Sequence, residues 1–226
     1  MPTSLARRTG RHLLTAILAL ALFYFFLGLR SGTGVHAMNR SFADAAFVLL
    51  VITMALGPLA KMAPRLRPAL TWRHEFGVWT IVLAAAHLYI ILDGWVQWDL
   101  RGFYLIPGRE GEFINRSFLM GNLLGAIALS YGLLLLVTSN RWVQRRLGRS
   151  WGYIQAGSRI YLLLVVLHSA YFLLWHYSNL REVTPSVFVA PFLLLSGILY
   201  LLIALGFFAT LKQNRRRVAA RGRRVD

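Results

Sequence analysis

Six long apolar stretches constrain the fold of this chain more than any other feature of its sequence. Each is nearly free of charged residues and comes close to the roughly 20 residues that a helix needs to cross a hydrocarbon core of about 30 Å. They occupy residues 13–29, 42–60, 76–92, 118–137, 160–177 and 187–211. The sequence therefore predicts an all-α integral membrane protein, a six-helix bundle over residues 13–211 with basic tails at 1–12 and 212–226.

The distribution of basic residues predicts the orientation of this bundle. The net charge is +17, and of the 25 lysines and arginines 19 lie in the two tails and in the loops after the second and fourth stretches. This alternation follows the positive-inside rule and predicts that both the N and the C terminus are cytoplasmic. Since the charge encodes orientation, nucleic acid is not expected as a partner, and the basic C-terminal tail instead suits contact with anionic membrane lipid.

The first apolar stretch is expected to remain in the protein as a membrane anchor. Arg7, Arg8 and Arg11 before it, and the residues VHA at 35–37 after it, resemble the start and the cleavage site of a signal peptide. The stretch is longer, however, than the roughly 7–15 apolar residues of such a signal.

Several classes of site are excluded by what the sequence lacks. There is no cysteine, which rules out thiolate-bound iron–sulfur clusters, disulfide chemistry and covalent attachment of haem through C-x-x-C-H. No G-x-G-x-x-G or Walker A motif is present, and HEFGV has Val78 where the second histidine of H-E-x-x-H would stand. A nucleotide site is therefore not expected, and any redox cofactor must be held without thiols.

Two histidines, His87 and His168, lie well inside the third and fifth apolar stretches. An ionisable side chain within a membrane is costly to insert, faces the interior of the bundle and marks a functional site by default. Both helices run in the same direction, and at the helical rise the two imidazoles lie about 20 and 15 Å from the cytoplasmic ends. They can therefore meet across the bundle, in its outer half.

The spacing alone leaves three interpretations of this pair. Two neutral imidazoles at one depth can clamp a haem iron from both faces, which suits the iron to electron transfer. Each histidine can instead hydrogen-bond a carbonyl or a hydroxyl such as that of Ser169 and simply join helices. A proton-relay transporter is disfavoured, because the apolar stretches hold few acids and no internal repeat is evident.

The other histidines are weaker candidates. His74 precedes His87 by 13 residues. That spacing turns an ideal helix about 220° beyond three revolutions, so the two share a face only if a bulge or an unwound turn intervenes. His12 lies at the inner edge of the first stretch, His36 in an outer loop and His176 at the outer end of the fifth stretch, and all three are expected as interfacial residues.

The longest outer loop, residues 93–117, is rich in aromatic side chains. Trp95, Trp98, Phe103 and Tyr104 suit the interfacial belt of a membrane protein. A lid over an outward-facing cofactor and a docking surface for an outer partner are the alternatives for this loop. The loop itself carries no recognisable catalytic motif.

Two segments of the sequence resemble the ferric reductase-like transmembrane domain. GPLAKMAPRLRPALTWRHEFGVW at 57–79, followed by AAAHLY at 84–89, resembles its second loop and third helix. TSNRWVQRRLGRSWGYIQAGSRIYLLLVVLHSAY at 138–171 is similar to its pattern T-S-x5-[RK]-x-L-G-x-x-W-x-x-L-H-x12-H. The residues that carry that pattern are Thr138, Ser139, Arg145, Leu147, Gly148, Trp151 and His168. The likeness covers about residues 43–177 and is greatest to the short bacterial members of the MsrQ/YedZ type.

This resemblance implies a particular cofactor. The family holds b-type haem between histidines of the third and fifth helices, and His87 and His168 map onto those ligand positions, so they are the expected metal ligands. In two-haem relatives His74 and a histidine at position 155 would hold an inner haem, but this chain has Gln155. An amide is a poor haem ligand, so one outer haem b is expected, with His74 either unused or part of a weaker inner site.

The resemblance also implies a function, that of an electron-transfer subunit in the bacterial inner membrane. Electrons would come from a quinol or from a cytoplasmic flavoprotein, which makes a quinone or a flavin a further cofactor. They would reach a redox partner at the periplasmic face, in a methionine sulfoxide reductase or ferric reductase system. A haem-free membrane scaffold or assembly protein with structural histidines, and a small transporter, are the alternatives.

Overall fold

The computed structural model describes residues 5–30, 34–108, 111–114, 116–176 and 186–222. Six helical segments in these ranges are long and apolar enough to cross a membrane. They are Leu5–Gly28, Val35–Met62, Pro64–Gly94, Phe118–Thr138, Ser150–His176 and Phe188–Arg215. The predicted all-α fold with six membrane spans is confirmed, while the cytoplasmic location of both termini stays a prediction.

Within the described ranges, eight α-helices build these spans and the connection between the fourth and the fifth. They are α1 (Leu5–Gly28), α2 (Val35–Met62), α3 (Arg73–Gly94), α4 (Arg116–Thr138), α5 (Arg141–Leu147), α6 (Ser150–Ala156), α7 (Ser158–Ala170) and α8 (Ser186–Gly222). The 3₁₀-helix Pro64–Trp72 leads into α3, and the π-helix Tyr171–His176 continues α7. After α3, the 3₁₀-helix Leu100–Phe103 precedes an antiparallel hairpin of β1 (Leu105–Gly108) and β2 (Gly111–Ile114).

Local sequence explains where several helices begin and end. Ala63 adopts extended backbone, with φ −122° and ψ 96°, because Pro64 follows it and disfavours helical backbone in the preceding residue. Asn140 caps α5, since its side chain accepts a hydrogen bond of 2.8 Å from the backbone N–H of Trp142. Gly148 ends α5 with a φ of 52°, which glycine adopts without steric cost.

The helices pack in two groups. In the first, α2 contacts α1, α3 and α8, and in the second α4 packs against α7. Gly206 brings α8 close to α2, because a Cβ added there would lie 2.9 Å from the Cα of Pro58. The groups meet where α3 contacts α4, so α3 and α4 face each other across the middle of the molecule.

The first and the last helix are longer than the apolar stretches from which they were predicted. The first helix already begins at Leu5, and α8 continues to Gly222 instead of ending near 211. A helix of 37 residues is about 55 Å long, well beyond the roughly 30 Å of a hydrocarbon core. The charged residues Lys212 and Arg215 are therefore part of a helix that projects past the membrane.

Candidate functional site

A cavity of about 450 Å³ lies between α2, α3, α4 and α7. Its size and its mostly apolar walls are those of a small-molecule or cofactor site. Small side chains create the space, and they include Ala43, Ala46, Ala84, Ala126 and Ala128. A few polar groups face it, namely Thr80, Asn122, Ser130, Ser169 and the imidazoles of His87 and His168. Both histidines expected at the site therefore line one cavity.

The ring of His87, in α3, is held in place by a hydrogen bond to α2. Its Nδ1 lies 3.1 Å from the backbone carbonyl oxygen of Asn39 in α2. A carbonyl oxygen can only accept a hydrogen bond, so Nδ1 carries the proton and donates it. The lone pair of the neutral ring is consequently on Nε2, the nitrogen left free to bind a metal.

The ring of His168 is fixed in the same way, by α4. Its Nδ1 donates to the backbone carbonyl oxygen of Gly121 at 2.9 Å. The ring also lies directly against Gly125, where an added Cβ would stand 2.7 Å from the Cε1 of His168. Real Cβ atoms do not approach other atoms this closely, so only glycine at position 125 leaves room for the imidazole.

The two imidazoles are spaced as a metal-binding pair would be. Their ring centroids are 6.4 Å apart and their planes are inclined by 76°. A ligating imidazole nitrogen lies roughly 2.0 Å from its metal and roughly 1.1 Å from the centre of its ring, so two rings that bind one ion from opposite sides would have centroids about 6.2 Å apart. The donor set, the fixed tautomers and the cavity therefore fit a haem held by two histidines.

The outer loop contributes one residue to the wall of this cavity. Phe103, in the 3₁₀-helix after α3, is one of the cavity-lining residues, and its carbonyl oxygen accepts a hydrogen bond of 3.4 Å from the side chain of Asn122. Within the same loop Arg101 donates to both oxygens of Asp99, and this hydrogen bonding holds the pKa of that exposed carboxyl below its usual range. The loop thus contributes a lining side chain as well as interfacial aromatics.

His74 lies in a different neighbourhood from the two histidines of the cavity. It is the second residue of α3, and its ring stands edge-on to that of His12 in α1, with centroids 5.9 Å apart. The side chain of Gln155 has its hydrogen-bond partners in α4 instead. It donates to the carbonyl of Leu135 and to the hydroxyl of Thr138, at 3.3 and 3.1 Å.

Sequence reasoning missed the contact between His12 and His74. Both residues were expected near the same end of the bundle, and that shared depth was the available signal. The other two peripheral histidines contact aromatic rings: His36 stands against Trp95, with ring centroids 4.3 Å apart, and His176 against Phe118 and Phe172. His176 is only 5% exposed, so it is buried within the protein rather than facing lipid headgroups.

Comparison with known proteins agrees with this geometry. The family model of the ferric reductase like transmembrane component matches residues 42–157, which include His87 and stop short of His168. The protein-methionine-sulfoxide reductase heme-binding subunit MsrQ of Agrobacterium fabrum is 27% identical over 199 residues, covering 86% of this chain and 83% of that protein. The proteins of the same name from Yersinia pseudotuberculosis and Yersinia pestis are each 30% identical over 125 residues. Those two alignments cover 54% of this chain and 56% and 55% of the relatives.

The family assignment and the fold agree on location. Six apolar helices together with bacterial relatives identify a multi-pass protein of the bacterial inner membrane. The family model spans just over half of the residues of the chain, from the second apolar helix to the start of the fifth span. This chain belongs to the ferric reductase-like transmembrane component family.

Proposed function

We propose that this protein is the haem-binding membrane subunit of an electron-transfer system. It would hold one haem b between His87 and His168 and pass electrons from a quinol or a cytoplasmic flavoprotein to a periplasmic acceptor. The acceptor class suggested by the names of the relatives is a methionine sulfoxide reductase.

One observation carries the proposal: two imidazoles from different helices face a single apolar cavity at a centroid separation of 6.4 Å. Histidines that only join helices need a hydrogen-bond partner and nothing more. Here each ring already has that partner on Nδ1, and the second nitrogen of each remains for a ligand. A cavity of about 450 Å³ beside both rings is hard to reconcile with a purely structural role.

The backbone and side-chain groups around the pair perform two tasks in this proposal. The carbonyls of Asn39 and Gly121 orient the rings and, as hydrogen-bond acceptors, increase the basicity of the free nitrogens. The apolar walls, Phe103 among them, would surround a bound cofactor with an environment of low polarity. A haem with two histidine ligands supplies one-electron transfer at such a site.

The position of the pair supports an exit for electrons at the outer face. His87 and His168 are nearer to the C-terminal ends of α3 and α7, at the end of the bundle that also carries Phe103. The positive-inside rule predicts that this end is periplasmic, because the basic loops lie at the other. Electrons would therefore leave the protein under the outer loop.

A single haem is favoured by the surroundings of Gln155. Its amide is engaged with the C-terminal end of α4, and His74 has His12 rather than a residue of the fifth span as its ring neighbour. His74 and Gln155 are therefore not arranged as a second pair of ligands. We expect close to one haem per chain.

Substitution of the two histidines tests the proposal. His87→Ala and His168→Ala should each lower the haem content about tenfold or more, since each removes one of two ligands to the iron. The measurement is a dithionite-reduced minus oxidised spectrum of detergent-purified protein, with haem quantified per chain. His36→Ala is the matched control, because His36 contacts Trp95 and lies outside the cavity.

Two results would contradict the proposal. One is a folded wild-type protein that takes up no haem even when reconstituted with hemin. The other is a full complement of haem in both His87→Ala and His168→Ala. Either would favour a haem-free scaffold in which the imidazoles join helices.

A further inference from the structure

A second group of metal-binding side chains lies at the end of the bundle where α1 and α3 begin. It consists of His12 in α1 and of His74 and Glu75 in α3. One ligand atom of each residue lies within 4.8 Å of a ligand atom of the other two. None of the three lines the cavity of His87 and His168, so this group is separate from the site described above.

Two polar atoms in this group are buried with no hydrogen-bond partner among the residues that the structure describes. They are the Oε2 of Glu75 and the Nδ1 of His74. Glu75 is 1% exposed, and its other oxygen, Oε1, accepts a hydrogen bond of 3.0 Å from Arg11. A buried carboxylate oxygen and a buried ring nitrogen each destabilise a fold when they have no partner. A bound cation would satisfy both.

We infer that His12, His74 and Glu75 bind a divalent first-row transition-metal ion. Two imidazole nitrogens and one carboxylate oxygen suit zinc or ferrous iron, whereas magnesium and calcium prefer oxygen ligands alone. A haem is a poorer match for the set, because a carboxylate is not among the usual axial ligands of haem iron. The ion would link α1 to α3.

The site can close around an ion with small movements. Ligand atoms around one tetrahedral zinc ion stand roughly 3.4 Å apart, so atoms now within 4.8 Å need to approach by at most roughly 1.5 Å. His12 is half-buried and lies in the second turn of the first helix, where its side chain can adjust. Arg11 neutralises part of the charge of Glu75, which lowers the affinity but leaves Oε2 available.

Metal titration of the full chain tests this inference. The protein is purified in detergent without a polyhistidine tag, treated with a chelator and dialysed against Zn²⁺ or Co²⁺. Metal per chain is then measured by mass spectrometry, and Co²⁺ coordination by its visible absorption. We expect one ion per chain, with affinity reduced about tenfold or more in His12→Ala, His74→Ala and Glu75→Gln. His36→Ala, at the opposite end of the protein, should bind the ion as the wild type does.

Haem content measured on the same samples separates this site from the proposed haem site. The inference is supported if the three variants lose the ion but keep haem and a wild-type circular dichroism spectrum. It is overturned if the wild type binds no ion stoichiometrically, or if the three variants bind it unchanged. It is also overturned if the wild type holds two haems and His74→Ala holds one, since His74 would then be a haem ligand. If one variant fails to fold, His12→Gln, at a half-buried position, decides the question.

Discussion

His168 is held on two sides by the backbone of α4. Its Nδ1 donates to the carbonyl of Gly121, and its ring packs against Gly125, where an added Cβ would lie 2.7 Å from Cε1. The hydrogen bond sets the tautomer, and the missing side chain at position 125 supplies the space. The geometry of one proposed ligand therefore depends on a residue that has no side chain at all.

Gly125→Ala should disturb the pair without removing a ligand. The new Cβ would lie 2.7 Å from Cε1 and 2.9 Å from Nδ1 of His168, so the ring has to move away from the Gly121 carbonyl. Overpacking of this kind costs about 1–3 kcal/mol, and we expect haem per chain to fall by about half or more. Gly152→Ala is the control, because a Cβ at Gly152 meets nothing within 4 Å. A Gly125→Ala protein with wild-type haem content and spectrum would contradict this account of the ring.

At the scale of the element, α8 packs closely against α2 because Gly206 has no side chain. A Cβ at Gly206 would stand 2.9 Å from the backbone of Pro58, which cannot move aside as a flexible side chain can. Pro58 is itself inside α2, so both partners in this contact are residues that weaken an isolated helix. Their close approach places α8 against the helix that also contacts α1 and α3.

Gly206→Ala should therefore loosen the last helix. We expect the free energy of unfolding to fall by about 1–3 kcal/mol, because the helices must separate to admit the methyl group. The loss can be measured as a lower midpoint of thermal unfolding in detergent, followed by circular dichroism. Gly197→Ala lies on the same helix with nothing within 4 Å of its added Cβ, and it should leave the midpoint unchanged or raise it. Equal midpoints for Gly206→Ala and Gly197→Ala would show that this contact does not hold α8 in place.

The elements also show which features the sequence could predict. The six spans could be predicted from length and apolar character, because a bilayer requires helices of a certain length. The similar depth of His87 and His168 could be predicted by counting residues along two helices that run in the same direction. The contact of His12 with His74 depends on which helices are neighbours, and a pattern within one helix carries no such information. The π-helix at Tyr171–His176 and the hairpin after α3 were also missed, because a search for long apolar stretches does not detect such short elements.

At the scale of the whole molecule, the charge is separated along the membrane normal. The ends of α2, α4 and α8 and the starts of α1, α3 and α7 share one side, and this side carries most of the basic residues. The orientation that follows determines which solvent each proposed site faces. The group of His12, His74 and Glu75 would face the cytoplasm, and the His87–His168 pair would lie towards the periplasm.

Reporter fusions test this orientation directly. Green fluorescent protein fused after residue 226 should fluoresce, because it folds in the cytoplasm, and alkaline phosphatase inserted in the loop after α3 should be active only in the periplasm. Replacing the arginines of α5 (Arg141, Arg145 and Arg146) with glutamine should weaken this preference, whereas the same change at Arg101 should not. Active phosphatase at the C terminus would reverse the assignment of the two faces.

The close packing around His168 has a further consequence for a protein that lies in a lipid bilayer. Oxygen and other small gases dissolve in the hydrocarbon of a bilayer and reach every helix from the side. In the proposed function, the hydrogen bond to Gly121 and the close contact with Gly125 would hold the ring of His168 in place beside a bound haem. A histidine held in this way would remain a ligand of the haem, and the site would favour electron transfer to the partner over reaction with oxygen.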